Sequence, residues 1–323
     1  MKLVYVLTSS EKDFYYEQLL LSLVSLRLHN PDDSVTILFD EKTKQGLTGK
    51  RSGYENLVSD IKVIDVPDKY SQKESSRWIK TSIHQHVSGD LIFIDCDTII
   101  ADKLQLDFPS SVKIGAVLDT HVTLDKHYLL DYFQNADKKA GFVSSFKSNT
   151  QYNSGFIFYR DDPSSQELFE KWHSLWIEGN KRGCLQDQPS LNQANFELND
   201  IISELGGEWN CQISHNGLPY LEKAKIIHHF ATYHFSITPP YKLASPEILA
   251  SIKKTGNISP DIMKHLENSR SAFWQDSRII ADSAELDVIN SKFFSMLLLL
   301  RKKTPKLFKM LNGIFVQIVL FFK

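Results

Sequence analysis

Four short apolar runs constrain this 323-residue chain more than any other feature. Leu3–Leu7, Val35–Phe39, Ile61–Val66 and Leu91–Ile94 read as strands buried within a sheet. Between them the period changes. In Phe14–Leu28 the residues Tyr15, Leu19, Leu20, Leu23 and Leu26 share one helical face, and Ser75–His86 reads as another helix. Asn30-Pro31-Asp32-Asp33 and Gly89-Asp90 supply the breaks. This alternation commits the chain to βαβ units: an α/β, Rossmann-like, mainly parallel mixed sheet flanked by helices. The second half is more mixed. Strands are expected at Lys113–Leu118, Ser154–Tyr159 and Lys225–His228, and helices at Pro163–Trp176 and Asp187–Asn195. From about Ser245 the pattern is helical, which divides the chain into a domain of residues 1–244 and a helical region of residues 245–323.

Composition excludes some classes. With 42% hydrophobic and 24% charged residues the chain is neither disordered nor fibrous. Cys96, Cys184 and Cys211 are too few and too scattered for a disulfide framework or a zinc site, and they fit a reducing cytoplasm. Glu11 and Asp13 follow the first apolar run too closely for a signal peptide. No run approaches the roughly 20 apolar residues of a membrane span. The net charge of −2 hides a split. From Val288 to Lys323 there are seven basic residues and no acidic one; removing those seven from the 37 basic residues leaves 30 against 39 acidic ones, a net −9. The basic tail alternates cations with apolar runs, Phe293–Leu300 before Arg301-Lys302-Lys303 and Ile314–Phe322 before Lys323. Such a segment suits the interface of an anionic membrane. The expected location is the cytoplasmic face of a membrane, with no nucleic-acid partner.

The sharpest chemical signal is Leu91-Ile92-Phe93-Ile94-Asp95-Cys96-Asp97-Thr98. Residues one apart point the same way while strand geometry lasts, so Asp95 and Asp97 can converge. Two adjacent anions call for a cation, and an oxygen-liking divalent ion, Mn²⁺ or Mg²⁺, leaves room for phosphate oxygens. Open α/β sheets also place ligands at the ends of parallel strands. Dehalogenase-type phosphatases share an Asp-x-Asp after a strand, but on an early strand and with Thr or Val two residues past the second Asp, where this chain has Ile99. A phosphatase of that type, or a non-catalytic sugar-nucleotide binding module, is the alternative.

Several blocks in order resemble glycosyltransferase family 8, retaining enzymes of GT-A fold that include bacterial lipopolysaccharide galactosyl- and glucosyltransferases. They are Thr8-Ser9-Ser10, Ser76-Arg77-Trp78-Ile79-Lys80, Gly89–Asp97, Tyr152-Asn153-Ser154-Gly155-Phe156, Asp187-Gln188-Pro189, Trp209-Asn210 and Ile226-Ile227-His228. The chain departs from the family after His228. It reads His229-Phe230-Ala231-Thr232-Tyr233, with Ala231 where glycine is expected and no Lys-Pro-Trp; Pro239-Pro240-Tyr241-Lys242 is a candidate displaced remnant.

The resemblance implies a hexosyltransferase using a UDP-sugar, with glucose or galactose passing to a lipopolysaccharide or capsule precursor. It implies Asp95, Asp97 and His228 as metal ligands, with His229 a competitor for the last place. Thr8, Ser9 and Asp95 would meet the nucleotide and ribose. Arg77 and Lys80, three apart on one helix face, would pair with the diphosphate or with the acidic site. Asn153, Asp187 and Gln188 would lie around the donor sugar, and Asp187 could also cap the helix that Pro189 begins. Trp78 reads as a core residue.

Overall fold

The computed structural model describes residues 1–230, 241–274, 287–289 and 291–321. Ala231, Thr232, Tyr233, Pro239, Pro240, Phe322 and Lys323, singled out above, lie outside the described residues.

Among the described residues, ten strands form two sheets. They are β1 (Lys2–Leu7), β2 (Val35–Asp40), β3 (Asp60–Ile64), β4 (Leu91–Ile94), β5 (Thr98–Ile100), β6 (Ile114–Leu118), β7 (Tyr152–Tyr159), β8 (Ile202–Glu204), β9 (Cys211–Gln212) and β10 (Ile226–His228). The large sheet has the order β3-β2-β1-β4-β7-β6-β8. All its neighbours run parallel except at β7, which is antiparallel to both β4 and β6. The strand order reverses between β1 and β4, where an open α/β sheet leaves a crevice beyond the strand ends.

The helices are α1 (Tyr15–His29), α2 (Glu41–Gly46), α3 (Gln72–Thr81), α4 (Ile83–His86), α5 (Leu130–Ala140), α6 (Ser144–Lys147), α7 (Pro163–Lys181), α8 (Gln188–Glu197), α9 (Pro246–Thr255), α10 (Pro260–Glu267), α11 (Lys292–Lys303) and α12 (Pro305–Phe321). Helices cover both sheet faces, so Leu3–Leu7 of β1 and all of β4 are buried and apolar at every position. Leu3, Tyr5 and Leu7 of β1 join the layer containing α1, α9 and α10, while Val4 and Val6 join the layer containing α3, α7 and α8.

Two expectations need correction. The third strand is Asp60–Ile64, not Ile61–Val66, and it is a sheet edge with Ile61 and Val63 each 38% exposed. The helix expected at Ser75–His86 starts earlier and breaks. Ser71 and Glu74 close a reciprocal capping box at its start. At Ser82 the side chain bonds back to the Trp78 carbonyl, 2.8 Å, and the backbone leaves helical geometry. Past the boundary expected at 244/245, Leu249, Ile252, Ile262 and Leu266 of α9 and α10 belong to the core that α1 covers.

The α11–α12 pair differs from the rest. None of the α11 residues is buried, and Phe293 is 55% and Met310 60% exposed. No described helix is long and apolar enough to cross a membrane.

Trp172 of α7 joins core to site. It is fully buried, and its indole N–H donates to the Asp187 carbonyl at 2.9 Å. Trp172→Phe leaves a small cavity and removes one of the three hydrogen bonds to the Asp187 carbonyl, which keeps those from Ser190 Oγ and the Leu191 N–H, and should cost about 2 kcal/mol of unfolding free energy in urea titrations.

Candidate active site

The two sheets meet at the acidic turn. β4 ends at Ile94, the turn carries Asp95 and Asp97, and β5 begins at once with Thr98. β5 pairs antiparallel with β10, setting His228 opposite Thr98. The register therefore brings a histidine 131 positions later in the chain to the carboxylates. Buried hydroxyls pin the turn: Tyr5 Oη to Ser22 Oγ at 3.0 Å, Ser22 Oγ to Thr98 Oγ1 at 3.0 Å, and Thr98 Oγ1 donating to the Asp95 carbonyl at 2.8 Å.

Asp95, Asp97 and His228 bring one ligand atom each within 4.8 Å of one another. His228 Nε2 lies 3.2 Å from Asp97 Oδ1, and His228 Nδ1 lies 2.9 Å from Asn210 Oδ1. Of the two adjacent histidines, only His228 joins this cluster among the described residues. His229 gives its backbone N–H to the Asp97 carbonyl, and its buried ring packs 6.0 Å from that of Tyr241. Two carboxylates and an imidazole suit a divalent ion such as Mn²⁺.

The two acids titrate apart. Burial raises the Asp95 carboxyl, Lys80 opposes this, and Asp97 reinforces it; the net is upward. Burial also pushes Asp97 up, but His228 and His229 outweigh it and hold Asp97 below the usual range. Gly155 makes room for the cluster. A Cβ there would stand 2.5 Å from His228 Cε1 and 2.9 Å from Asp95 Oδ2.

The cations of α3 turn toward acids. Lys80 is buried, with Nζ 3.2 Å from Asp95 Oδ1, 3.2 Å from Asp187 Oδ2 and 3.2 Å from Ser154 Oγ. Arg77 Nε lies 2.8 Å from Asp187 Oδ1, and Ser154 Oγ donates to Asp187 Oδ2 at 2.8 Å. Burial raises the Asp187 carboxyl, but Lys80 and Arg77 more than offset it, so it stays ionised. Asp187 precedes α8 as expected, yet its side chain makes no cap; its oxygens are taken by the cations and the serine.

These groups line a cavity of about 610 Å³ together with Thr8, Ser10, Asn153 and Gln188. That volume fits a small-molecule ligand. Ser9 is turned away from it: Ser9 Oγ accepts from Arg51 and donates to Asp13 at 2.7 Å. Trp78 packs against His173, with ring centroids 4.7 Å apart.

Asp119 and His127 lie in no motif of the sequence, and Asn210, though part of the Trp209-Asn210 block, had no role assigned to it. Asp119 follows β6 directly and accepts from Asn153, Gln188 and His127. Thr120 and His121 follow it with φ of 52° and 58°, left-handed values that side chains beyond glycine rarely adopt. Adjacent strained residues mark the turn only once coordinates exist.

No family sequence model and no curated protein matches the chain in sequence. Solved structures do match. The galactosyltransferase LgtC, in complex with donor and acceptor sugar analogues, aligns at 13% identity over 82% of this chain and 100% of its own, with a TM-score of 0.51. Mouse xyloside xylosyltransferase 1 aligns at 16% identity over 71% of this chain and 97% of its own, TM-score 0.45. GlyE of Streptococcus pneumoniae TIGR4 aligns at 15% identity over 86% and 66%, TM-score 0.47. The likeness to LgtC carries the structural assignment: the chain has the GT-A fold of glycosyltransferases.

The strained turn predicts a pH effect. His121 Nε2 accepts the Gln212 backbone N–H at 3.1 Å, so its neutral form is the one the fold uses. Burial lowers its pKa to about 4, with Asp119 opposing and His228 adding to the drop. A histidine depressed in the folded state stabilises fully above the unfolded pKa of about 6.5, and that contribution disappears as pH falls toward about 4. Between those limits urea unfolding should lose on the order of 2 kcal/mol more in the wild type than in His121→Gln, whose amide oxygen can accept the same N–H without titrating.

Proposed function

We propose that the protein is a metal-dependent retaining glycosyltransferase that moves a hexose, glucose or galactose, from a UDP-sugar to a cell-surface glycan acceptor such as a lipopolysaccharide or capsule precursor. One observation carries this reading. A cavity beside the strand ends of a GT-A fold combines the Asp95, Asp97 and His228 cluster with a carboxylate, Asp187, held by two cations.

In this reading Asp95, Asp97 and His228 hold Mn²⁺ or Mg²⁺. When bound, the ion supplies positive charge to the departing diphosphate. Charge balance favours such an ion. The cavity lining has the cations Lys12, Lys73, Arg77 and Lys80 against Asp13, Asp95, Asp97 and Asp187, so a diphosphate dianion enters a lining with no surplus of fixed positive charge. Thr8 and Ser10 flank the nucleotide, and Ser9 braces that loop through Asp13 and Arg51.

Asp187 accepts hydroxyls of the donor sugar. Lys80, Arg77 and Ser154 hold it in place, so it needs no reorientation when the sugar arrives. Gln188 spends its N–H on Asp119, and its carbonyl dipole is the end left to stabilise positive charge at the anomeric carbon. The bond from that carbon to the diphosphate breaks through an oxocarbenium-like state. An acceptor hydroxyl bonds on the same face and its proton leaves to the departing phosphate oxygen. Asn153 orients the floor.

The tail is read as a peripheral membrane anchor on the cytoplasmic side. Arg301, Lys302, Lys303, Lys306 and Lys309 cluster at the joint of α11 and α12, with exposed apolar side chains on both arms.

Two experiments test the proposal. With Mn²⁺ and a panel of nucleotide sugars, one donor should release nucleoside diphosphate slowly, and Asp97→Ala or a chelator should reduce this at least about 100-fold. Binding without turnover would leave a non-catalytic module, and phosphate release from simple esters would favour a phosphatase. Replacing the five joint cations by Gln should weaken binding to vesicles containing anionic lipid more than about tenfold, given roughly 1 kcal/mol per cation. Unchanged vesicle binding would remove the membrane reading.

A further inference from the structure

Behind the cavity a buried chain of polar side chains runs from Asp119 to His228, and its direction is fixed by what each member can donate. Asp119 is buried. Burial raises its carboxyl, but bonds from His127, Asn153 and Gln188 bring it to about 2, so it is ionised and only accepts. Asn153 must therefore turn Nδ2 to Asp119 Oδ1, 2.7 Å away, which leaves Asn153 Oδ1 on the other side. A second group fixes the same amide. The backbone N–H of Gly155 can only donate, and it lies 2.9 Å from Asn153 Oδ1.

Asn210 must then give Nδ2 to Asn153 Oδ1 at 2.9 Å, and its own Oδ1 faces His228 Nδ1 at 2.9 Å. His228 can satisfy that oxygen only with a proton on Nδ1. The lone pair of Nε2 is then the group available to a cation held by Asp95 and Asp97. At the far end, the Leu129 backbone N–H donates to His127 Nδ1 at 2.9 Å, so His127 donates from Nε2 to Asp119 Oδ2 at 3.1 Å. Every donor points toward Asp119. Asn210 is fully buried, and Asn153, His127 and His228 nearly so, leaving little access for water to reset an amide.

We infer that Asp119 is a positioning residue that, through Asn153 and Asn210, locks His228 as the Nδ1–H form and so aims Nε2 at the metal position. The inference rests on the metal site of the proposed function, not on the transfer reaction. Asp119 also holds the Gln188 amide, so one carboxylate orients a metal ligand and the floor beneath the sugar.

The test reads the tautomer and metal affinity without a donor. In protein labelled with ¹⁵N-histidine, the His228 signal is identified by its loss in His228→Gln. Its Nδ1 should carry a directly bonded, slowly exchanging proton, both metal-free and with Mg²⁺. Calorimetry with Mn²⁺ alone should show affinity about 10- to 100-fold weaker in Asn210→Leu and in the isosteric Asp119→Asn, whose amide can turn either way. A wild-type Nδ1 without a proton overturns the inference, whether or not either variant folds. So does wild-type Mn²⁺ affinity in both variants when folded. The expected tautomer and affinity losses in a protein that turns over no donor would sustain the inference while removing the transferase reading.

Discussion

A single ammonium ties the site together. Lys80 of α3 lies between Asp95, which follows β4, and Asp187, which precedes α8, and it touches Ser154 of β7. Its Nζ also lies over the Phe93 ring, 4.7 Å from the centroid. Four elements distant in sequence are thus held at one point by a charge with almost no access to water. Removing one partner of such a group is more damaging than never having had it, because the remaining charges stay buried and unpaired. The helix start at Ser71 and the break at Ser82 acquire meaning here, since they set how α3 presents Lys80 and Arg77 to the acids.

The parts of the fold with a strong period were legible in the sequence. β1, β2 and β4 are dominated by buried apolar side chains, α1 keeps its leucines in helical register over 15 residues, and the acidic pair follows β4 at once. β5, β8 and β9 have three, three and two residues, too few to display any period. Yet β5 and β9 bring His228 and Asn210 to the site. The capping box at Ser71 was written in the sequence as Ser-x-x-Glu, and it marks the true start of α3 better than the apolar spacing does.

Candidate residues divide in the same way. Asp95, Asp97, Asp187, Arg77 and Lys80 stand in blocks whose residue types carry their chemistry. Asp119 and His127 are polar residues beside unremarkable neighbours, Asn210 stood in the Trp209-Asn210 block without a role, and what the three do together comes from three-dimensional adjacency. The basic side chains show a subtler gap. Spacing placed Arg77 and Lys80 on one face, but only coordinates show that the acids occupy that face.

The antiparallel course of β7 has one more effect. Asn153, Ser154 and Gly155 sit in its first half, within the ladder, where Ile94 pairs with Phe156 and the Asp95 N–H donates to the Gly155 carbonyl at 2.8 Å. The cavity floor is therefore central sheet and not a loop. Its ordering entropy was spent when the chain folded, so a ligand has little left to organise. Local opening cannot expose it separately, because these amides exchange with solvent only when the middle of the sheet comes apart. For this part of the molecule, losing the site and losing the fold are one event.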